Sequence, residues 1–519
     1  MKTTRQAVSA AHGISLIFVR DIVGTLVSII GFMMISRLIS REEMGVLTIA
    51  TLIVALCQVL ASMGMPGAAT KFVSEYVALK QTKKAASVAF FVFRTNLLIS
   101  CALGSLVFFL SRPLSLFLFG AEKFSDVLSL LPLAIVSGGV LPSLNGTMLG
   151  LKRIKQMTGS TLVGAIVGQA SAVLLLLHDW HLSGVVLAWG LGSLANGLLC
   201  LICMVQSLGV RQDKLDLREL FGFSLPLLAN GLLSFGYDWL DRALLLSLTS
   251  LSDLATYSVV LKAFAVLYGV QTAISSTLFP YYASIMRLDG HLGLRRAVFK
   301  SSRYVFLLSI PAALGLAVTA RPAISLIAGN VYSSGAFPLA LMCLFLAIGS
   351  VGGALSEILQ VLKKTLISTY VAVVMIMSGL FCLLLLVPRY GLAGASVARG
   401  LSMIVGVAVC LGFARKEVGL YFDTWAFLKS WLSAIVMVAV VVIVQTFWYD
   451  KFYLPMYVLI GGTVYLFGLR ILRAVKLEDI DLLEAFLGGR FETLFGIARK
   501  TLLPGHARAL TRDGHDVVV

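Results

Sequence analysis

Apolar segments of roughly 20 residues recur along the whole chain, and no other property of it narrows the possible folds so far. A helix of about that length crosses a bilayer core of about 30 Å. The candidate spans are 14–36, 44–65, 86–110, 127–149, 158–177, 184–207, 222–248, 255–279, 302–320, 338–360, 366–387, 393–414, 428–448 and 455–474. That makes about fourteen transmembrane helices with short connections. Period-two alternation is missing, which disfavours a β-barrel. Charged residues are 13% of the chain, against about a quarter in a soluble domain. The first span is too long and too polar-flanked for a cleavable signal, so it is expected to be retained.

The net charge of +17 does not point to nucleic acid, because its distribution follows the membrane. Clusters such as Lys80, Lys83 and Lys84, Lys152, Arg153 and Lys155, or Arg295, Arg296, Lys300 and Arg303 fall in loops on one side. The excess of Lys and Arg in short loops marks the cytoplasmic side, which puts both termini in the cytoplasm and the protein in the inner (cytoplasmic) cell membrane. The seven cysteines are scattered through apolar spans. Cys200 and Cys203 form a CxxC without partner ligands, so two small apolar residues outweigh a redox or zinc site. The sequon Asn145-Gly-Thr147 lies inside a span and cannot be used.

The chain also repeats itself at a spacing of about 210 residues, a period compatible with internal duplication in transporters. Arg112-Pro-Leu-Ser-Leu-Phe-Leu-Phe-Gly120 recurs as Arg321-Pro-Ala-Ile-Ser-Leu-Ile-Ala-Gly329, and Gly138-Gly139 corresponds to Gly352-Gly353. Ser183-Gly-Val-Val-Leu-Ala-Trp-Gly190 recurs as Ala393-Gly-Ala-Ser-Val-Ala-Arg-Gly400, and Arg41–Gly45 corresponds to Leu251–Ala255. Six spans per repeat give both copies the same orientation, so the halves are expected to be parallel and to enclose a central cavity. The expected organisation is a six-helix bundle over 1–210, its repeat over 211–420, two additional helices over 421–474 and a cytoplasmic tail over 475–519. In the tail, Leu477, Ile480, Leu483, Phe486 and Leu487 share one helical face, the pattern of an interfacial amphipathic helix.

Ionised groups in hydrocarbon cost several kcal/mol, about 2.5–3.5 on insertion scales, and are functional candidates by default. Five basic ones, Arg20, Arg94, Arg242, Lys262 and Arg399, and four acidic ones, Asp21, Asp238, Asp241 and Glu357, fall inside spans. In the seventh span Asn230, Ser234 and Asp238 recur every four residues as a polar stripe on one face, with Asp241 and Arg242 continuing it. Two readings stay open. Asp238 and Arg242 form a self-neutralising pair that locks this helix to the next through Lys262, or the stripe lines a cavity and its cations meet an anionic cargo. Glu357 lies near the inner end of its span, where snorkelling is an equal reading.

These stretches resemble a family, the polysaccharide transporter (Wzx-like flippase) branch of the multidrug/oligosaccharidyl-lipid/polysaccharide (MOP) flippase superfamily. Ile35-Ser-Arg-Leu-Ile-Ser-Arg-Glu-Glu-Met-Gly45 is similar to its first outer turn, and Ala69-Thr-Lys-Phe-Val-Ser-Glu-Tyr76 to the following inner segment. Asp241-Arg-Ala-Leu-Leu-Leu and Ala255-Thr-Tyr-Ser-Val-Val-Leu-Lys262 resemble its seventh and eighth helices. The chain departs from the pattern at Ser40-Arg41, where the family often has Gly-Pro, and at Met44, where it has Tyr. Lipid II flippases are a close cousin, but the first Arg of their Ser-Arg-x-x-Gly-x-x-Arg-Asp pattern is missing before Arg20-Asp21.

The resemblance implies an all-α polytopic, MATE-like transporter rather than an enzyme, moving a polyprenyl-pyrophosphate-linked oligosaccharide from the inner to the outer leaflet. From depth along the helices, Arg20 and Arg94 are expected to receive the pyrophosphate on the inner side, with Arg242, Lys262 and Arg399 nearer the outer side. Asp21, Asp238, Asp241 and Glu357 are the candidates for a coupling H⁺ or Na⁺. Besides its lipid-linked cargo and membrane lipids, candidate partners are a glycan polymerase and glycosyltransferases; no cofactor or metal is expected. A drug or organic-cation antiporter would want a cavity dominated by carboxylates, whereas bases outnumber acids here. A membrane glycan polymerase would want a large outer loop with catalytic acids, and the outer loops here are short.

Overall fold

The computed structural model describes residues 23–209, 213 and 215–474, and every regular element among them is helical. Arg20, Asp21 and the tail over 475–519 lie outside the described residues. In chain order the helices begin with α1 (Val23–Leu38), α2 (Arg41–Ser62), α3 (Met65–Ala78) and α4 (Thr82–Phe109). They continue with α5 (Ser111–Phe119), α6 (Ser125–Ser129), α7 (Leu131–Gly150), α8 (Ile154–Leu177), α9 (His181–Leu208) and α10 (Leu217–Leu248). The remainder are α11 (Leu251–Val318), α12 (Ala320–Ile327), α13 (Ala336–Ile348), α14 (Gly352–Val361), α15 (Thr365–Val418), α16 (Thr424–Phe447) and α17 (Leu454–Ile471).

Twelve helical stretches among the described residues are long and apolar enough to cross a membrane. One of them, Leu366–Val418, holds both the eleventh and the twelfth expected spans, which meet at Gly391 with φ 52°. The described part of the first expected span is α1, so each of the fourteen has a helical counterpart. Large apolar side chains stay outside the packed core, such as Phe109 at 79% and Leu366 at 85% exposure, the pattern of helices whose solvent is lipid. This is a multi-pass membrane protein.

Three helices depart from the boundaries that hydropathy suggests. The chain does not leave helix where the second expected span ends: Met63 and Gly64, both left-handed (φ 45° and 69°), bend it, and a separate helix, α3, follows to Ala78. The tenth, expected as one helix over 338–360, is parted into α13 and α14 at residues 349–351, where Gln271 Nε2 donates to the Ser350 carbonyl at 2.8 Å. The chain after the eighth span stays helical until Gly290 (φ 61°) turns it within α11.

The sequence repeat has a local structural counterpart. Arg112-Pro113 and Arg321-Pro322 each open a short helix, α5 and α12. Lys152 and Lys363 follow α7 and α14 in the left-handed conformation, at φ 58° and 57°. Their amides bond back to Leu149 and Gln360, both at 2.9 Å. Lys80 (φ 58°) after α3 and Arg473 (φ 46°) after α17 close their helices in the same way.

The described residues form two compact units. One runs to Ser258 and includes Ile327–Gly329; the other takes Val259–Leu326 and the described chain from Asn330 onward. In the first unit, Met65, Phe72, Phe90, Met148 and Met204 form one buried cluster, joined by Leu220 of α10. Val46, Leu47, Leu128, Ile135 and Val186 form another. Helix α10 crosses the α2–α3 bend at Gly64, where any Cβ would run into the Ser224 carbonyl and come within 2.6 Å of the Leu228 amide. In the second unit, α16 and α17 are tied to α11. Ser430 donates to the Phe306 carbonyl at 3.0 Å, and Tyr465 to the Leu307 carbonyl at 3.0 Å.

Candidate functional site

The charged helix of the sequence, α10, starts where the Asp216 carboxylate accepts from the amides of Arg218 and Glu219, at 3.0 and 3.3 Å. This satisfies orphan donors of the first turn. Only Leu220, Ser224, Asp241 and Leu245 of this 32-residue helix are buried. The face carrying Asn230, Ser234 and Asp238 is exposed, so it forms an open hydrophilic stripe on a membrane helix.

Asp241 does not share that environment. It is 3% exposed and accepts a hydrogen bond from the Tyr257 hydroxyl at 2.7 Å, and Tyr257 itself is fully buried. A carboxylate held this way fastens α10 to the start of α11. Arg242, one position on and about 100° around the helix, lies with its guanidinium carbon 4.1 Å from the Trp239 ring centroid. Trp239 stacks in turn on Phe235, with centroids 6.1 Å apart and planes inclined by 25°. The guanidinium therefore caps an aromatic column on the exposed side of α10.

Near the other end of α10, Phe223 meets α3. Lys71 Nζ lies 4.6 Å from the centroids of both Phe72 and Phe223, whose rings meet edge to face at 5.9 Å. Phe91 of α4 packs on Phe221 in the same edge-to-face manner, at 6.2 Å. Arg94, also on α4, is exposed and stands 6.0 Å over Phe90. Further along α3, burial and then the carboxylates of Glu219, Glu75 and Asp216 push the Tyr76 phenol above its ordinary value. Sequence reasoning passed over Lys71, because a second span ending at 65 left it in a loop. Its one signal was its place in Ala69–Tyr76, the inner segment of the family resemblance.

The remaining predicted residues belong to the second unit. Lys262 on α11 is exposed, Arg399 on α15 is half-buried, and Glu357 on α14 is half-buried. Among the described residues no group of His, Cys, Asp and Glu could hold a metal ion. Cys200 and Cys203 are free thiols, and the Cys200 sulfur sits 3.0 Å from Ser160 Oγ inside the α8–α9 packing.

Comparisons with known proteins agree on the architecture. The solved structure of a lipid II flippase, MurJ, in an inward closed conformation superposes with a TM-score of 0.71 at 17% identity. That match covers 87% of this chain and 97% of that one. An inward-facing multidrug resistance MATE family transporter of the MOP superfamily gives 0.60 at 13% identity, over 76% and 94% of the two chains. By sequence, the chain is 21% identical to the probable low-salt glycan biosynthesis flippase Agl15 of Haloferax volcanii, over 78% of this chain and 84% of that protein. A family profile described as polysaccharide biosynthesis protein matches residues 34–336, more than half of the sequence, and the chain belongs to that family.

Proposed function

We propose that this protein is a flippase that carries a polyprenyl-pyrophosphate-linked oligosaccharide from the inner to the outer leaflet by alternating access, for cell-surface glycan synthesis. The observation that carries the reading is α10 itself. A membrane helix with an open stripe of Asn230, Ser234 and Asp238, ending in Arg242 over Trp239, is built to meet something hydrated and anionic. Moving a pyrophosphate and its sugars through hydrocarbon requires that lost water contacts be replaced by cations and hydroxyls. Arg20 and Arg94 serve the inner side in this reading, and Arg242, Lys262 and Arg399 the outer side. The family description and the name of the Haloferax relative support a glycan as cargo.

The Lys and Arg distribution supports a cytoplasmic membrane location with both termini inside. The cargo must then be made by glycosyltransferases on the inner side and consumed by a glycan polymerase or transferase on the outer side. Asp21, Asp238, Asp241 and Glu357 are the groups through which a gradient of H⁺ or Na⁺ would act. Deleting the gene and analysing lipid-linked sugars tests the reading: the oligosaccharide accumulates on the cytoplasmic leaflet. Unchanged glycan export, with altered extrusion of a cationic dye instead, would establish a drug antiporter.

A further inference from the structure

We infer that Lys71 is a phosphate-binding group that receives the pyrophosphate of the lipid carrier near the N-terminal end of α10; the inference rests on the transport reading above. Its ammonium lies over the corner of two nearly perpendicular rings, one on its own helix and one on α10, at 4.6 Å from each centroid. Apart from those rings it has no ion-pair or hydrogen-bond partner among the described residues, although Glu75 stands one turn along the same helix. Ring faces stabilise a cation without engaging its N–H groups, so three donors remain for an anion. A carboxylate partner would have to be displaced first, at the cost of a charge-assisted bond. A lysine with no task beyond the interface extends toward water, whereas this one is half-buried against Phe72, which is 3% exposed.

A second ring-backed cation stands near the other end of α10, where Arg242 lies over Trp239 at 4.1 Å. Phe223 and Trp239 are 16 residues apart, about 24 Å along a straight helix and most of a hydrocarbon core of about 30 Å. Along one helix, a travelling dianion thus meets a ring-backed cation at the start and another at the end. Lys71 extends the inner tier beyond Arg20 and Arg94.

The test uses full-length protein in phosphatidylcholine nanodiscs, reading the thermal midpoint against added inorganic pyrophosphate. The same variants are scored for glycan export in cells at matched membrane levels. Pyrophosphate is expected to raise the wild-type midpoint. Lys71→Met should need about tenfold more of it, as loss of one charge-assisted contact implies, and should export correspondingly less. Lys71→Arg should stay close to wild type. If Lys71→Met is unstable without ligand, Phe223→Leu decides instead, because it keeps the charge, removes one ring and should shift the response about threefold. An unresponsive wild type, or Lys71→Met responding and exporting like wild type, overturns the inference and leaves transport standing. A midpoint that follows added phosphatidylglycerol rather than pyrophosphate assigns Lys71 to bilayer lipid and overturns it too. Failure of the transport reading shows separately, as no accumulated lipid-linked oligosaccharide in the deletion strain.

Discussion

Thr48 donates a hydrogen bond to Ser258 at 2.9 Å, and the two residues are 210 positions apart, the spacing of the internal repeat. The bond joins α2 to the first turns of α11. The contact does not stand alone. Arg41 donates to Thr256 at 3.0 Å, and Gly45 lies so close to the Leu251 carbonyl that a Cβ would collide with it.

The first prediction concerns this seam. Thr48→Val and Ser258→Ala should each cost about 1 kcal/mol, the usual net worth of a hydrogen bond, and the double variant little more than either alone. Gly45→Ala should cost more than both, because its new methyl meets backbone rather than a movable side chain. A double-mutant cycle on thermal unfolding in detergent checks this; additive single effects would deny that the hydroxyls are coupled.

The second separates the two neighbouring aspartates of α10. Tyr257→Phe removes the donor to buried Asp241 and should destabilise the fold by about 1–3 kcal/mol, so export falls with protein level. Asp238→Asn lies on the exposed stripe and keeps the side chain's shape, so it should cost less stability than Tyr257→Phe while changing transport per molecule. Export normalised to membrane protein, beside thermal unfolding, distinguishes the two. Equal stability losses would put both residues in the same structural role.

For Gly64 the expected effect is on folding. Ala at this position must adopt φ 69° and fit its methyl against α10. Left-handed strain and overpacking together amount to about 2–5 kcal/mol. Membrane-inserted Gly64→Ala protein should therefore be scarce, and unfold well below wild type.

Arg242 tests whether the aromatic column matters. Lysine keeps the charge but loses the planar stacking of a guanidinium on an indole. Arg242→Lys and Trp239→Leu should therefore both reduce export, by similar factors of about three to ten for a contact of about 1 kcal/mol. Full export from Trp239→Leu would show that the ring is only packing.

How much of this was legible in the sequence depends on the length scale. The spans were legible because hydrocarbon forces about 20 apolar residues per crossing. The repeat was read from Arg-Pro and Gly-Gly punctuation at the same places in both halves, and in the structure both Arg-Pro pairs open a short helix, α5 and α12. The stripe of Asn230, Ser234 and Asp238 followed from helical phase alone. Asp241 did not: 60° from Asp238 around the helix, it meets a tyrosine that only tertiary packing supplies. Lys71 was hidden for a related reason. Hydropathy stops at the first polar residues, whereas backbone hydrogen bonding carries α3 past them to Ala78. The parting of α13 and α14 likewise rests on a side chain, Gln271, from a distant helix.

The left-handed residues that close α3, α7, α14 and α17 bear on how such a protein can be improved. Glycine would be the comfortable choice at Lys80, Lys152, Lys363 and Arg473, since a side chain there costs about 1–2 kcal/mol of backbone strain. Part of that is recovered by a cation beside the carbonyl end of its helix. In the orientation proposed above, the rest is set against charges that hold these loops on the cytoplasmic side. Glycine at these caps would therefore harden the folded protein while, in that orientation, weakening the charge bias that sets which way up it inserts.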